Sequence, residues 1–222
     1  MEVVIFILVA ALIIAGVIYS SIQARKRREA LDRLANKLGF RFQASRDHDL
    51  PDRFRFLEKL DQGSNRYAFN LLWGELDGER VDVFDYHYET YSTDTKGRRT
   101  TNHHYFSFFI LMLPRPLPEL TIGPEGFLSK FAQSLGYDDI DFESHEFSRQ
   151  FCVRSQDKKF AYDFCNSSMI EYLLANRDIS LEVENHALAI GFSSRLAVGE
   201  IEYNLGRLRE IRQRLPEYLF TS

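Results

Sequence analysis

Residues 70–90, "NLLWGELDGERVDVFDYHYET", carry the clearest signals of secondary structure in the chain. Two β-prone runs flank Asp77-Gly78, a dipeptide that favours the positive φ angles of a tight hairpin turn. Further β-prone runs follow one another along the chain instead of alternating with helices. The sequence therefore predicts an α+β fold, in which helices cover a mainly antiparallel sheet.

The second run, residues 81–90, has two chemically different faces, because alternate residues of a strand point to opposite sides. One face is aromatic. The other face begins with aliphatic side chains and continues with ionisable ones: Val81, Val83, Asp85, His87 and Glu89.

Three further segments extend this interpretation. Residues 103–113 are largely apolar on both faces and predict a central strand that ends at Pro114. Residues 147–155 predict another strand, and "ISLEVENHALAIGF" at 179–192 predicts a second hairpin with its turn at Glu184-Asn185. Residues 127–135 predict a short amphipathic helix.

The N-terminus predicts a transmembrane helix. Residues 3–19 are uncharged and almost wholly apolar, and the charge-free run continues to Ala24, long enough to cross a hydrocarbon layer of about 30 Å. A cleaved signal peptide carries its cations before the apolar run. Here only Glu2 precedes the run, and the cations follow it: Arg25, Lys26, Arg27 and Arg28. We therefore expect an uncleaved membrane helix whose cations lie at the membrane surface.

The positive-inside rule places everything after this helix in the cytoplasm. We expect a single-pass protein of a bacterial inner membrane, with its N-terminus outside. The predicted parts are a transmembrane helix (1–22), a juxtamembrane amphipathic helix (23–39) and a cytoplasmic α+β domain (40–222). The two cysteines, Cys152 and Cys165, fit this compartment as buried structural thiols that need no disulfide.

The composition excludes two classes of protein. A hydrophobic content of 45% is too high for a disordered chain. With 28 basic against 32 acidic side chains, the protein lacks the overall basicity of a dedicated nucleic-acid binder. We therefore predict no nucleic-acid partner.

A pattern of aromatic anchors and a helix cap resembles a known family. It reads F-x-x-x-F-x-V-x-S-x-D-x-x-x-A over residues 147–161 and is followed by a helix and the SLEVEN-HALAIGF segment. This pattern is similar to a bacterial family of N-terminally membrane-anchored proteins with a domain of unknown function. The segment from Gly74 to Thr100 is similar to related proteins, so the resemblance covers roughly residues 70–192. It implies the architecture, and it implies no activity, cofactor or catalytic residue.

A metal site is one interpretation of the ionisable face. Asp85 and His87 share that face, and a partner strand could add His103 or His104. Two histidines and a carboxylate form the minimum open metal site. The sequence lacks the H-x-x-x-H and C-x-x-C spacings that would make the signal specific. We therefore predict no metal and no cofactor, and keep a metal-assisted hydrolase using Asp85, His87 and His103 as the alternative.

The loop "ETYSTDTKGRRTT", residues 89–101, is the predicted binding site. Its cations and nearby aromatic residues could hold a phosphate group or an acidic protein surface: Lys96, Arg98, Arg99, Tyr88 and Tyr91. The competing interpretation is that the cations only keep the loop soluble. With the cations at 25–28, the loop could instead sense anionic lipid.

The sequence as a whole predicts a membrane-tethered cytoplasmic protein-interaction module, a subunit of a membrane complex, without expected catalysis. Its partners would be the lipid bilayer and either a protein partner or further copies of the same chain. The hydrolase and the anionic-lipid sensor are the alternatives.

Overall fold

The computed structural model describes residues 2–124 and 139–221. Its helices are α1 (Glu2–Leu38), α2 (Leu50–Arg53), α3 (His145–Gln150), α4 (Lys158–Phe164), α5 (Ser167–Ala175) and α6 (Val198–Arg214), followed by a 3-10 turn at Glu217–Leu219. Its strands are β1 (Arg41–Gln43), β2 (Ser64–Leu76), β3 (Glu79–Thr93), β4 (Arg99–Pro124), β5 (Phe151–Arg154) and β6 (Ser180–Gly191). The predicted α+β class is confirmed.

The strands form one antiparallel sheet in the order β1-β2-β3-β4-β5, and β6 also pairs with β4. The turn between β2 and β3 is the predicted one, because Asp77 and Gly78 both have positive φ angles, 54° and 84°. The β3–β4 ladder runs without a register shift from Val81 opposite Leu111 to Thr93 opposite Arg99. This long hairpin carries most of the residues predicted to be functional.

The sheet separates two apolar cores, as the alternation along β3 predicts. Val81 and Val83 pack in the larger core with the C-terminal part of α1, with α6 and with α3 to α5. Phe84 and Tyr86 point the other way and pack under α2 and residues 54–60. A covering on both faces keeps the middle of β3 dry.

Strand β4 corrects the prediction that the central strand ends at Pro114. The strand continues to Pro124 because its prolines, Pro114, Pro116 and Pro118, lie where the β4–β6 register shifts, between Met112 and Leu120. A proline has no N–H to donate to a sheet and is tolerated at such an irregularity.

Strand β6 corrects the second predicted hairpin. Glu184-Asn185 is not a turn, because β6 runs through it as one strand. Asn185 has a φ of 54° and lies opposite Leu117, inside the same irregular part of the β4–β6 pair. The turn-like residues therefore bend a strand that continues.

Two other predictions concern the strand at 147–155 and the helix at 127–135. The predicted strand 147–155 begins only at Phe151, because Ser144 caps helix α3 through a hydrogen bond accepted from the Phe147 N–H. The predicted helix at 127–135 lies outside the described residues.

Helix α1 joins the apolar N-terminus to the domain without a break. It is about 55 Å long at 1.5 Å per residue. The apolar side chains from Val4 to Ile22 are exposed, whereas Leu31 and Ala35 are buried in the larger core. Gly39, with a φ of 70°, ends the helix as predicted. By length and composition α1 could cross a membrane. The proposed division at residue 22 falls inside this single helix and stays a prediction.

Candidate functional site

The ionisable face of β3 carries two polar clusters side by side. The first, here called the Asp85 cluster, consists of Arg27, Asn70, Asp85 and Ser107. The second, here called the His87 cluster, consists of His87, Glu89 and His103. The sequence suggested one site that combined Asp85 with the histidines, and the structure assigns these residues to different clusters.

In the Asp85 cluster, four hydrogen bonds converge on one buried carboxylate. Arg27 donates from Nε to Oδ2 at 2.9 Å and from Nη2 to Oδ1 at 2.8 Å. Asn70 Nδ2 donates to Oδ2 at 2.8 Å, and Ser107 Oγ donates to Oδ1 at 3.0 Å. Each oxygen of Asp85 therefore accepts two hydrogen bonds. Since this carboxylate is fully engaged, the hydrolase alternative loses the acidic ligand assigned to it.

The same cluster gives Arg27 a contact that the sequence did not predict. Arg27 is half-buried and paired with Asp85, and its predicted position at the membrane surface with its three basic neighbours stays a prediction. Its Nη1 also donates to the Leu196 carbonyl at 2.7 Å, and the Leu196 N–H donates to Ser107 Oγ at 3.0 Å. The cluster therefore ties α1 to three strands and to the loop before α6. Arg25, Lys26 and Arg28 are exposed.

In the His87 cluster, three potential metal ligands converge. His87 Nε2 lies 3.1 Å from His103 Nδ1, and His103 Nδ1 lies 3.4 Å from Glu89 Oε1. The three ligand atoms all lie within 4.8 Å of one another. The His87 residue is 1% exposed, whereas the side chains of Glu89 and His103 are 12% and 52% exposed. The cluster is therefore buried at His87 and open to solvent at His103.

Asn65 organises two members of this cluster. It has a φ of 49° in an irregular part of β2, where the β2–β3 register shifts between Ser64 and Tyr67. The carbonyl of Asn65 contacts His87 Nδ1 at 3.1 Å, and its side-chain amide donates to Glu89 Oε1 at 2.6 Å. The His87 ring is also held between Tyr67 and Tyr105, whose centroids lie 4.5 and 4.7 Å away.

The surroundings set the charge of each member. Burial lowers the pKa of His87, and the hydrogen bond to the Asn65 carbonyl only partly offsets this effect. The hydrogen bond from the Asn65 amide, assisted by one from Tyr91, lowers the pKa of Glu89. At neutral pH the cluster therefore offers a neutral imidazole beside an ionised carboxylate, an arrangement that can hold a cation or pass a proton.

Glu89 is the member that sequence reasoning did not choose. Its position was visible, since it shares the face of His87 at a spacing of two residues. Nothing in the sequence indicated that Arg27 would donate hydrogen bonds to the Asp85 carboxylate, because the two residues are 58 positions apart. His104 was the other candidate, and it points to the opposite face, where it stacks on Tyr88 at 4.5 Å.

The predicted binding loop lies at the tip of the β3–β4 hairpin and is exposed throughout residues 91–101. Lys96 projects from the turn, and Arg98 pairs with Asp94 at 2.9 Å. Arg99 lies 3.7 Å over the ring of Tyr91. Part of the positive charge is thus neutralised within the loop, and its role in binding stays a prediction.

An open groove of about 520 Å³ lies elsewhere on the domain, at the edge of the smaller core. Phe54, Phe56 and Met112 supply its apolar lining, and Arg53 and Asp82 are among its polar members. The groove is separate from both clusters on β3.

Beneath the sheet, Glu182 is a buried acid that the sequence did not reveal. It accepts the Lys59 backbone N–H at 3.3 Å. Burial raises the pKa of Glu182 to about 7 and lowers the pKa of Lys59 to about 8. Both residues are buried, Glu182 at 7% and Lys59 at 8% exposure.

These observations define a class: an α+β protein whose antiparallel sheet is fixed to the end of a long helix that could span a membrane. Its structure is similar to the crystal structure of the mycobacterial trehalose monomycolate transport factor A, TtfA, with a TM-score of 0.55 and 15% sequence identity. The match covers 86% of this chain and 91% of TtfA, and at this identity it shows a shared fold.

No profile of a known protein family matches the chain, and no curated protein matches it either. The resemblance to the uncharacterised membrane-anchored family therefore stays a prediction.

Proposed function

We propose that this protein is a non-catalytic accessory subunit of a membrane transport complex in a bacterial inner membrane, with its α+β domain on the cytoplasmic side. The observation that carries the proposal is the junction at Arg27. There the helix that could span the membrane enters the domain and is fixed to the buried Asp85 carboxylate.

This junction favours a role in which position matters. Arg27 lies three residues beyond Ala24, the end of the charge-free run, so the domain begins within about 5 Å of the apolar segment. A flexible linker would let the domain diffuse around its tether. A continuous helix with a buried ion pair at its end instead holds the domain at one height and in one orientation, which suits a partner embedded in the same membrane.

The direction of the long hairpin supports contact with such a partner. Arg27 contacts Asp85, while Phe40, just after α1, packs on Gly74, which pairs with Val81. From Val81 to Asp85, β3 therefore runs back along α1 toward the membrane-proximal end. Continued beyond Asp85, the hairpin extends to the side from which the apolar segment leaves the domain.

The part of the β3–β4 hairpin beyond Asp85 carries residues that are common at protein interfaces. Tyr91 and Tyr105 are 46% and 41% exposed, and Lys96 and Arg99 accompany them. Tyrosine and arginine are enriched where proteins bind proteins. The fold shared with TtfA, described as a transport factor, supports a role in transport.

Photo-crosslinking in native membranes tests the proposal. A photoreactive phenylalanine analogue replaces Tyr91 in one variant, and Tyr203, exposed on α6, in the matched control. We expect a discrete protein adduct from position 91 and none from position 203. If position 91 gives no adduct while the protein is present in the membrane, the hairpin is not the binding surface and the proposal fails.

Anionic-lipid sensing is the second candidate, because the hairpin tip extends toward the side of the exposed cations Arg25, Lys26 and Arg28. Each cation near an anionic surface contributes about 1 kcal/mol. Full-length protein in nanodiscs would show slower amide exchange over residues 94–100 with anionic lipid than with neutral lipid. Equal exchange in the two lipids would exclude this role.

A further inference from the structure

The His87 cluster has the separations of a metal site. A tetrahedral zinc ion with bonds of about 2.0 to 2.1 Å holds its ligand atoms about 3.3 Å apart. The His87 Nε2 to His103 Nδ1 separation is 3.1 Å, and the His103 Nδ1 to Glu89 Oε1 separation is 3.4 Å. Two edges of the coordination polyhedron are therefore already close to the required length.

The tautomer of His87 fits the same chemistry. A backbone carbonyl can only accept a hydrogen bond, so the 3.1 Å contact with the Asn65 carbonyl requires a proton on His87 Nδ1. The lone pair of a neutral His87 is then on Nε2, the nitrogen that faces His103. Metal-bound histidines commonly donate their other ring N–H to a carbonyl in this way.

The carboxylate is held from a second side as well. Asn65 Nδ2 donates to Glu89 Oε1 at 2.6 Å, and the Tyr91 hydroxyl donates to Oε2 at 3.2 Å. Gly63 permits this arrangement, because a Cβ at Gly63 would lie 2.3 Å from the Glu89 carbonyl oxygen. Two ligands are thus oriented by neighbours that are not ligands themselves.

We propose that His87, Glu89 and His103 bind one divalent transition-metal ion, with Zn²⁺ as the best match. Two imidazole nitrogens and one carboxylate oxygen favour zinc and its neighbours over Mg²⁺ and Ca²⁺, which prefer all-oxygen sites. The exposed side of His103 leaves room for water as a fourth ligand. Arg46, which lies 4.3 Å over the Tyr67 ring, is the nearby cation, and Glu89 opposes its charge.

A bound ion would link β3 to β4, and Asn65 of β2 would hold two of its ligands in place. The site does not depend on the proposed interaction role. It also does not require that the protein is a hydrolase, because the pairing of β3 and β4 brings the three ligands together whatever the protein does.

Calorimetric titration with Zn²⁺ tests the site. The full-length protein, purified in detergent with a histidine-free tag and stripped of metal, should bind Zn²⁺ at one ion per chain. His103→Ala should lower the affinity at least about tenfold, the loss typical of disturbing even a supporting residue of a metal site. Glu89→Gln should lower it as well, while keeping an oxygen that can accept from Asn65.

His104→Ala is the matched control, because His104 is the adjacent histidine on the opposite strand face, bonded to Thr90 at 2.8 Å. It should bind Zn²⁺ as tightly as the wild type. With Co²⁺ as the probe, the wild type and His104→Ala should show the visible bands of a low-coordinate site, and His103→Ala should not. Absence of stoichiometric Zn²⁺ binding, or equal affinity in folded His103→Ala, would overturn the proposal and leave the 3.1 Å His87–His103 contact as an ordinary hydrogen bond.

Discussion

The Asp85 cluster and the His87 cluster begin two residues apart on one face of β3, yet they differ in how their polar groups are bonded and in how far the cluster reaches the surface. Asp85 is buried, and its two oxygens accept four hydrogen bonds from Arg27, Asn70 and Ser107. In the His87 cluster, ring nitrogens and a carboxylate face one another, and His103 is about half exposed.

The difference comes from what covers the strand. Helix α1 lies over Asp85 and supplies Arg27, which donates to the carboxylate, and the loop before α6 supplies the Leu196 carbonyl, which accepts from Arg27 Nη1. The hairpin then extends past this cover, and neighbouring strands supply Asn65, Tyr67, His103 and Tyr105 around His87. A buried polar group must be satisfied by partners, whereas a group at an open edge can keep bonding capacity for a ligand.

The largest expected effect breaks the closed cluster. Asp85→Ala leaves the half-buried Arg27 guanidinium without its partner and should lower the free energy of unfolding by about 3 to 5 kcal/mol. Denaturant unfolding of the full-length protein in detergent, followed by tryptophan fluorescence, measures the loss. Arg28→Ala, in the exposed neighbour, should change it by less than about 0.5 kcal/mol. Similar losses in the two variants would mean that the Arg27–Asp85 pair is not a structural junction.

The next effect removes one donor from the same carboxylate. Asn70→Ala loses a hydrogen bond to a charged group, which should cost about 1.5 to 3 kcal/mol, and the backbone strain of alanine adds about 1 kcal/mol to this loss. Asn70 has a φ of 53°, which alanine tolerates poorly, so Asn70→Gly separates the two causes. We expect the glycine variant to recover about 1 kcal/mol of the loss. Complete recovery with glycine would show that the amide contributes nothing.

A smaller effect concerns pH and the open cluster. Burial lowers the pKa of His87 in the folded protein, while the unfolded chain titrates near the ordinary value of about 6.5. Between these two pKa values the unfolded chain binds more protons, so His87 makes the protein less stable as the pH falls below about 6.5. Unfolding is measured from pH 5 to 7.5 in both proteins, and the free energy of unfolding should rise more with pH in the wild type than in His87→Gln.

The comparison with the variant is necessary because Glu182 acts in the opposite direction. Its pKa is raised to about 7, so the folded protein binds more protons between about pH 4.5 and 7 and loses stability as the pH rises. Only the difference between wild type and His87→Gln isolates the histidine. An unchanged slope in that variant would mean that His87 keeps its ordinary pKa.

The smallest effect is expected at the exposed end of the open cluster. Without metal, His103→Ala should change the free energy of unfolding by less than about 0.5 kcal/mol, as for most surface substitutions. Thermal melting without metal and with saturating Zn²⁺ measures it, and only the wild type should gain stability from the ion. A large metal-free loss would show that His103 is structural and would remove the contrast between the clusters.

The sequence predicts the parts of this fold that local chemistry determines. Asp77-Gly78 adopts the required φ angles, and the alternation from Val81 onward separates the two cores correctly. Prediction from the sequence fails where pairing with a neighbouring strand outweighs the local preference of the residues for a turn or a strand end. Pro114 and Glu184-Asn185 both have the composition of chain reversals, but each lies in a strand whose irregularity matches that of its neighbour.

The candidate site was only half predictable for the same reason. The spacing of His87 and His103 on adjacent strands follows from the hairpin, and the structure brings them together. The choice between Asp85 and Glu89 depended on Arg27, which lies in another helix. The hydrogen-bond partners of a buried side chain often come from distant segments of the chain. The residue pattern of one strand therefore does not predict them.

The unbroken course of α1 has a mechanical consequence. An α-helix advances 100° per residue, and here the same helix supplies both the apolar segment and the arginine that grips the sheet. The rotation of the domain about the helix axis is therefore fixed relative to the apolar segment of the same helix. Inserting one alanine between Ile22 and Arg25 would rotate the domain by about 100° about the helix axis relative to the apolar segment. Inserting seven would nearly restore the original orientation and move the domain about 10 Å further from that segment.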